Sequence, residues 1–120
     1  WADGLIISTP TGSTGYSLSC GGPIIMPDSK NFVLTPIAPH NLNARPLVVS
    51  DEKKIEISIN GRESEYFVSA DSKIFSVSID SKLNISKAPY VLKMVEFEED
   101  SYIHTLREKL MWGKDKRTEQ

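Results

Sequence analysis

Cysteine is almost missing from this chain: Cys20 is the only one in 120 residues. A lone thiol excludes an internal disulfide framework and a Cys-rich zinc module. Histidine is scarce too. His40 and His104 are too few and too scattered to build a metal centre, so no metal ligands are assigned. No apolar run approaches the ~20 residues that a membrane-spanning helix requires, and no secretory leader is visible. An excess of basic residues is also lacking: 14 Lys and Arg against 16 Asp and Glu leave a net charge of −2. Nonspecific nucleic-acid binding needs a clustered basic surface. Neither nucleic acid nor membrane is therefore expected as a partner, and the expected compartment is the cytoplasm.

What is present fits a folded domain. The length suits one domain or part of one, at ~100–200 residues per domain. Aromatic residues make up 8% and the net charge is low, which argues against wholesale disorder. The chain opens Trp1-Ala2-Asp3-Gly4 without an initiator Met, and the apolar run Leu5-Ile6-Ile7 follows at once. That opening reads as mid-protein sequence. The expectation is a fragment whose site is shared with residues upstream.

Turn-forming residues are unevenly spread. Five of the seven glycines lie in residues 1–22, and six of the seven prolines in residues 1–46. The first third is thus shaped by backbone constraint, and function is expected there. The middle reads as strands. Ile55, Ile57 and Ile59 alternate with Glu56, Ser58 and Asn60, a half-buried stripe of period two. Asn60-Gly61 is a hairpin turn signal, with Tyr66-Phe67-Val68 as the return strand. Phe75, Val77 and Ile79 alternate in the same way. Phe32-Val33-Leu34, Leu47-Val48-Val49 and the run from Tyr90 to Phe97 complete the strand candidates. Short strands at close spacing predict a mainly β fold of sandwich type. Near the C-terminus the period changes. Ile103, Leu106 and Leu110 lie on one helical face, with Asp100 or Ser101 as the cap and Gly113 as the stop. Residues 114–120 form a charged tail, with the Lys114 to Arg117 cluster solvated.

The segment from Asp3 to Pro23 carries the chemistry. A strand at Leu5 to Ser8 runs into a loop of Thr, Ser, Gly and Pro, and a weak helix at Thr14 to Ser19 follows. Hydroxyls and free N–H groups at a strand-to-helix junction suit an anion or nucleotide. Tyr16 offers a face for base stacking, and Asp3 a charged acceptor for ribose hydroxyls or an amide. No Walker P-loop and no Gly-x-Gly-x-x-Gly is present. The hydrolase elbow fails at its fifth position, Ser19. On these residues the loop also fits a purely structural connection, and the chain a noncatalytic β-rich interaction module that binds through exposed strands.

Three blocks add a resemblance. Asp3-Gly4, Ser8 to Thr14, Tyr16, Ser19 and Gly21-Gly22-Pro23 match a pattern reading roughly Asp-Gly-x-x-x-Ser-Thr-Pro-Thr-Gly-Ser-Thr-Ala-Tyr-x-x-Ser-x-Gly-Gly-Pro. The stretch Leu34 to Val48 resembles a second block, Thr-Pro-Ile-x-Pro-His leading to Arg-Pro-Leu-Val. The end, Leu106 and Lys109 to Gly113, resembles Leu-x-x-Lys-Leu-x-Trp-Gly. In this order and spacing, the blocks resemble the NAD kinase family over essentially the whole chain. Departures are few. Gly15 stands where the family usually has Ala, and Asp71-Ser72-Lys73 where many members have Asp-Gly-Gln. The family's Gly-Gly-Asp-Gly-Thr loop, which holds its catalytic aspartate, is absent, as is its Asn-Glu pair.

The resemblance implies that residues 1–113 are the C-terminal, NAD-binding β domain of that fold, a two-sheet sandwich-like unit with a short helix after the loop and a C-terminal helix. It places Asp3, Thr14, Gly15, Tyr16 and Ser19 at the NAD site. Tyr16 would stack on a base, Thr14 and Ser19 would hydrogen-bond a base edge or ribose, and Gly15 would allow close approach. His40 and Arg45 are secondary candidates. His40 faces the site, a neighbouring subunit or a structural hydrogen bond; Arg45 meets a phosphate or an ion-pair partner. His104 is expected on an exposed helix face and Cys20 as a packing residue. The family transfers the γ-phosphoryl group of ATP, or a phosphate of polyphosphate, to the 2′-hydroxyl of the adenosine ribose of NAD, with Mg or another divalent cation. No catalytic residue is expected within these residues, and negligible turnover from them alone. A homodimer or homotetramer is implied. A lipid or diacylglycerol kinase C-terminal domain is the rival enzyme, without this Thr/Ser/Gly/Tyr block.

Overall fold

The computed structural model describes residues 1–93, 95 and 101–111. They divide between two compact units, one spanning Trp1–Ala88 and the other beginning at Pro89. In chain order the elements are β1 (Gly4–Ser8), a 3-10 turn (Thr11–Thr14), α1 (Tyr16–Ser19), β2 (Asn31–Ile37), β3 (Leu47–Ser50), β4 (Ile55–Ile57), β5 (Glu65–Ala70), β6 (Lys73–Ser78), β7 (Leu83–Ile85) and α2 (Tyr102–Leu110). The fold is mainly β with little helix, as expected. The strands form one three-stranded sheet and two two-stranded sheets, none closed, so the two-sheet sandwich is approximate.

The three-stranded sheet positions the site. Its order is β1-β2-β3, antiparallel throughout. The central strand, Asn-Phe-Val-Leu-Thr-Pro-Ile, buries Phe32 on one face and Val33 and Thr35 on the other. Proline is unusual in a central strand because it cannot donate to the ladder. Here the β3 pairing stops at Leu34, so Pro36 pairs only with Leu5 of β1. Val33 and Thr35 are both fully buried, and α1 packs back toward β1 over this sheet.

Two strand expectations are corrected. β4 does not turn at Asn60-Gly61 to meet Tyr66–Val68. It pairs with β7, Ile55 opposite Ile85 and Ile57 opposite Leu83. β5 instead pairs with β6, from Glu65 opposite Ser78 to Ala70 opposite Lys73, leaving Asp71-Ser72 as the two-residue loop. Such a loop favours positive φ. Asp71 has it, at 51°, whereas Gly61 does not. Alternation marks a strand but leaves its partner open, and the tight turn at Asp71 made the local pairing. The second correction concerns Tyr90 to Phe97. Tyr90, Val91, Leu92, Lys93 and Val95 are outside any strand, and Tyr90, Val91, Leu92 and Val95 are exposed. Apolar composition alone does not make a strand, which exists only where it is hydrogen-bonded to another. Met94, Glu96 and Phe97 lie outside the described residues.

In the second unit, α2 buries Leu106 while Ile103 and Leu110 stay partly exposed. Ser101 occupies the N-cap position in extended backbone, but its side chain makes no capping bond. The helix ends at Met111, whose φ of 55° is left-handed, ahead of the predicted stop. Asp100, Gly113 and the tail at 114–120 lie outside the described residues. His104 is exposed, as expected.

Candidate nucleotide-binding site

The loop after β1 is built by hydroxyls turned inward. Pro10 takes helical angles, φ −52° and ψ −45°, close to what its ring dictates. Its carbonyl accepts from the Ser13 N–H at 3.0 Å and from Ser13 Oγ at 2.6 Å. Ser13 Oγ in turn accepts from the Ile25 N–H at 3.0 Å. One buried hydroxyl thus ties the 3-10 turn to the segment beyond Gly21-Gly22-Pro23. The expected helix at Thr14 to Ser19 is really two pieces. The 3-10 turn ends at Thr14, Gly15 bends with φ −90° and ψ −135°, and α1 then makes a single turn. A Cβ on Gly15 would come within 3.3 Å of the Gly12 carbonyl oxygen, tighter than ordinary contact.

A single helical turn has almost no stability of its own. α1 is held by Ser17, which is fully buried. Its Oγ shares a 2.8 Å hydrogen bond with Thr35 Oγ1 on the central strand. Its carbonyl accepts from the Gly22 N–H at 2.8 Å. Gly22 closes tightly over this pair: a Cβ there would lie 2.2 Å from Ser17 Oγ and 2.9 Å from Thr35 Oγ1. Thr35, Ser17 and Ser13 are the buried polar residues under the loop. Ser17 and Thr35 satisfy each other, and Ser13 is satisfied by the Pro10 carbonyl and the Ile25 N–H, which makes their burial tolerable.

The predicted site residues fall into two groups. Thr14, Gly15, Tyr16 and Ser19 come together along the turn and α1. Thr14 is half-buried and its Oγ1 donates to the Thr11 carbonyl at 3.3 Å. Gly15 and Ser19 are exposed, and Tyr16 is 64% exposed. Asp3 lies at the other end of β1, exposed, its N–H donating to the Ile37 carbonyl at 2.9 Å. His40 belongs to that end. Its N–H donates to the Trp1 carbonyl, and its ring lies 6.3 Å from the Trp1 ring. Arg45 is exposed and donates from Nη1 to the Leu42 and Ala44 carbonyls at 2.7 and 2.9 Å. Its guanidinium thus shapes its own loop. Cys20 is a half-buried free thiol.

Three residues that organise the site escaped the sequence reading: Ser13, Ser17 and Thr35. In the sequence they look like loop or strand-surface hydroxyls. The usable signal was the spacing of Ser13 and Ser17 by four, followed by the glycine pair Gly21-Gly22. Among the described residues, no group of three or more His, Cys, Asp or Glu side chains comes together to hold a metal ion.

This arrangement, a hydroxyl-lined turn and a short helix seated on an antiparallel sheet, matches known proteins. Residues 1–97 match the family described as ATP-NAD kinase C-terminal domain. The chain belongs to that family. It is 61% identical over 117 residues to an NAD kinase of Christiangramia forsetii and 62% identical over 117 residues to one of Flavobacterium johnsoniae. Each alignment covers 98% of this chain and 40% of the relative. The chain therefore spans about two-fifths of the length of the curated relatives it matches. Among solved structures, the yeast NADH kinase complexed with NADH is similar over 99% of this chain and 35% of its own, with a TM-score of 0.70 and 29% identity. An NAD kinase from Archaeoglobus fulgidus in complex with ATP is similar over 74% of this chain and 34% of its own, with a TM-score of 0.64 and 40% identity. The resemblance carried by the Asp3–Pro23, Leu34–Val48 and Leu106–Gly113 blocks is thus borne out.

Proposed function

We propose that this chain is the NAD-binding part of an NAD kinase, a transferase that phosphorylates the adenosine-ribose 2′-hydroxyl of NAD to NADP with ATP or polyphosphate. The observation that carries the reading is the exposed edge formed by Thr14, Gly15, Tyr16 and Ser19, fixed from below by buried hydroxyls. An aromatic ring presented to solvent on a rigid seat suits stacking on a base. The Ser19 and Thr14 hydroxyls flank it as donors and acceptors. Gly15 lets a ligand come close to the backbone. Asp3, at the far end of β1, would engage a distal part of an extended dinucleotide, with His40 nearby. The names of the relatives and the NADH and ATP complexes of the similar structures support this assignment.

In this reading the phosphate-handling loop and the catalytic aspartate belong to family sequence outside these 120 residues. The present residues bind and orient NAD. They supply no base, and no cluster among the described residues is suited to the divalent cation. Self-association as a homodimer or homotetramer in the cytoplasm is part of the proposal. The outward side chains Phe67 and Ile74 of the β5–β6 hairpin, 80% and 71% exposed, favour such association.

The test is kinetic. In a protein of its relatives' length, Tyr16→Ala raises the KM for NAD by about 5- to 150-fold, the equivalent of ~1–3 kcal/mol of base stacking, and leaves the KM for ATP unchanged. An unaltered KM for NAD rejects the reading. The 120-residue chain supplied with ATP and Mg²⁺ forms negligible NADP; measurable NADP would show that the catalytic group lies within it.

A further inference from the structure

We infer that the buried hydroxyl pair Ser17–Thr35 is a positioning device for the nucleotide-facing edge of α1, so that a strand residue with no access to solvent sets NAD affinity. The inference rests on the NAD-site reading given above.

Four observations lead to it. α1 has only four residues, too few to hold its own direction. Its N-terminal end, at Gly15, has no side-chain cap. Its exposed residues Tyr16 and Ser19 bracket Ser17, which points the other way into full burial. Ser17 is anchored twice, through Oγ to Thr35 and through its carbonyl to the Gly22 N–H. The seat of α1, and with it the position of Tyr16, is therefore tied to the central strand through the Ser17–Thr35 hydrogen bond, with the Gly22 N–H holding the Ser17 carbonyl.

An apolar pair of similar shape would bury more cheaply, because a buried hydroxyl left without its partner incurs a desolvation cost. A hydrogen bond adds direction. It fixes the rotation of α1, which apolar packing of two small side chains does not. Gly22 belongs to the same device, because any Cβ there would displace Ser17 Oγ. Neither Ser17 nor Thr35 touches the proposed ligand, so both are positioning residues and not catalytic ones.

The experiment uses a protein of its relatives' length and measures KM for NAD, KM for ATP, kcat and Tm. Thr35→Val removes the hydroxyl and keeps the branched shape. The expected result is a rise in KM for NAD of ~5- to 10-fold, the scale of one lost hydrogen bond, with kcat and the KM for ATP unchanged. Thr35→Ser, which keeps the hydroxyl, restores most of the NAD affinity. The double variant Ser17→Ala/Thr35→Val removes both partners together. Its Tm returns toward that of the parent while its KM for NAD stays raised. A lower Tm with an unchanged KM for NAD in Thr35→Val would show a merely structural pair and overturn the inference. If Thr35→Val does not fold, the double variant decides: a parental KM for NAD overturns the inference and a raised one supports it. Tyr16→Ala runs beside them. If it leaves the KM for NAD unchanged, the NAD-site reading fails, and the positioning claim with it. If it raises the KM and the Ser17–Thr35 variants do not, only the positioning claim fails.

Discussion

Gly21 and Gly22 are neighbours that exclude side chains for different reasons, and substitution separates the two. At Gly22 the obstacle is space. A methyl group there would sit 2.2 Å from Ser17 Oγ, 2.8 Å from the Ser17 carbonyl oxygen and 2.9 Å from Thr35 Oγ1. Two of these atoms are joined in a buried hydrogen bond, and the third is backbone. Overpacking of this kind costs ~1–3 kcal/mol. Breaking the buried pair adds ~1–3 kcal/mol. The smaller unfolded-state entropy of alanine returns ~0.4–1 kcal/mol. The net expectation for Gly22→Ala is a loss of roughly 1–5.5 kcal/mol. At Gly21 the obstacle is backbone angle: φ is 81° and no atom lies within 4 Å of the would-be Cβ. Gly21→Ala should cost only ~1–2 kcal/mol, and Gly21→Asn less, because asparagine tolerates the left-handed region. Urea or thermal unfolding of the single variants measures both. The decisive control is Ser17→Ala in the Gly22→Ala background, which removes the nearest atom and should recover part of the loss. Gly22→Ala within about 1 kcal/mol of the parent, or no relief from Ser17→Ala, would refute the crowding argument.

Further outcomes follow from the rest of the fold. Val33 is fully buried on the central strand, so Val33→Ala should destabilise by roughly 2–3 kcal/mol in denaturant titration. Asp71 has a φ of 51°; Asp71→Gly should be neutral or stabilising in a thermal melt, whereas Asp71→Val should lose ~1–2 kcal/mol, because a β-branched side chain resists that angle. The Lys82 ammonium is held by a 2.8 Å hydrogen bond and ion pair to Glu56, which raises its pKa above the ordinary 10.5. A raised folded-state pKa means that the pair's contribution is fully present below 10.5 and fades as pH climbs through the higher folded value. The Tm difference between the parent and Lys82→Met should therefore be constant at neutral pH and shrink in strongly alkaline buffer. It should also shrink with added salt, since the pair is exposed.

The path from sequence to fold was clear where periodicity speaks and blank where pairing matters. Ile55 and Ile57 announced a strand, and Ile103, Leu106 and Leu110 a helix, because apolar residues gathered on one face leave a repeat in the residue order. The partner of β4 left no such mark. Asn60-Gly61 looked like a turn, but the chain turned at Asp71-Ser72, where a less typical pair adopts the required backbone. The run from Tyr90 to Phe97 looked like a strand because its composition is apolar, yet a strand needs a neighbour to take up its hydrogen bonds. The site shows the same division. The exposed edge of α1 was legible because Thr14, Gly15, Tyr16 and Ser19 stand in a recognisable pattern. Its foundation was not. Ser13, Ser17 and Thr35 carry polar side chains, and only the three-dimensional structure shows that they are buried, Ser17 and Thr35 bonded to each other and Ser13 to the backbone of Pro10 and Ile25. Arg45 shows the converse. A guanidinium suggests a phosphate, but this one donates to carbonyls of its own loop.

The central claim is that a nucleotide site lies on this chain and is faced by Tyr16. Calorimetric titration of NAD into the 120-residue chain, with Tyr16→Ala alongside, tests it most directly. The account predicts saturable binding in the parent that is weakened by about 5-fold or more in Tyr16→Ala. Binding of equal strength to both would contradict it.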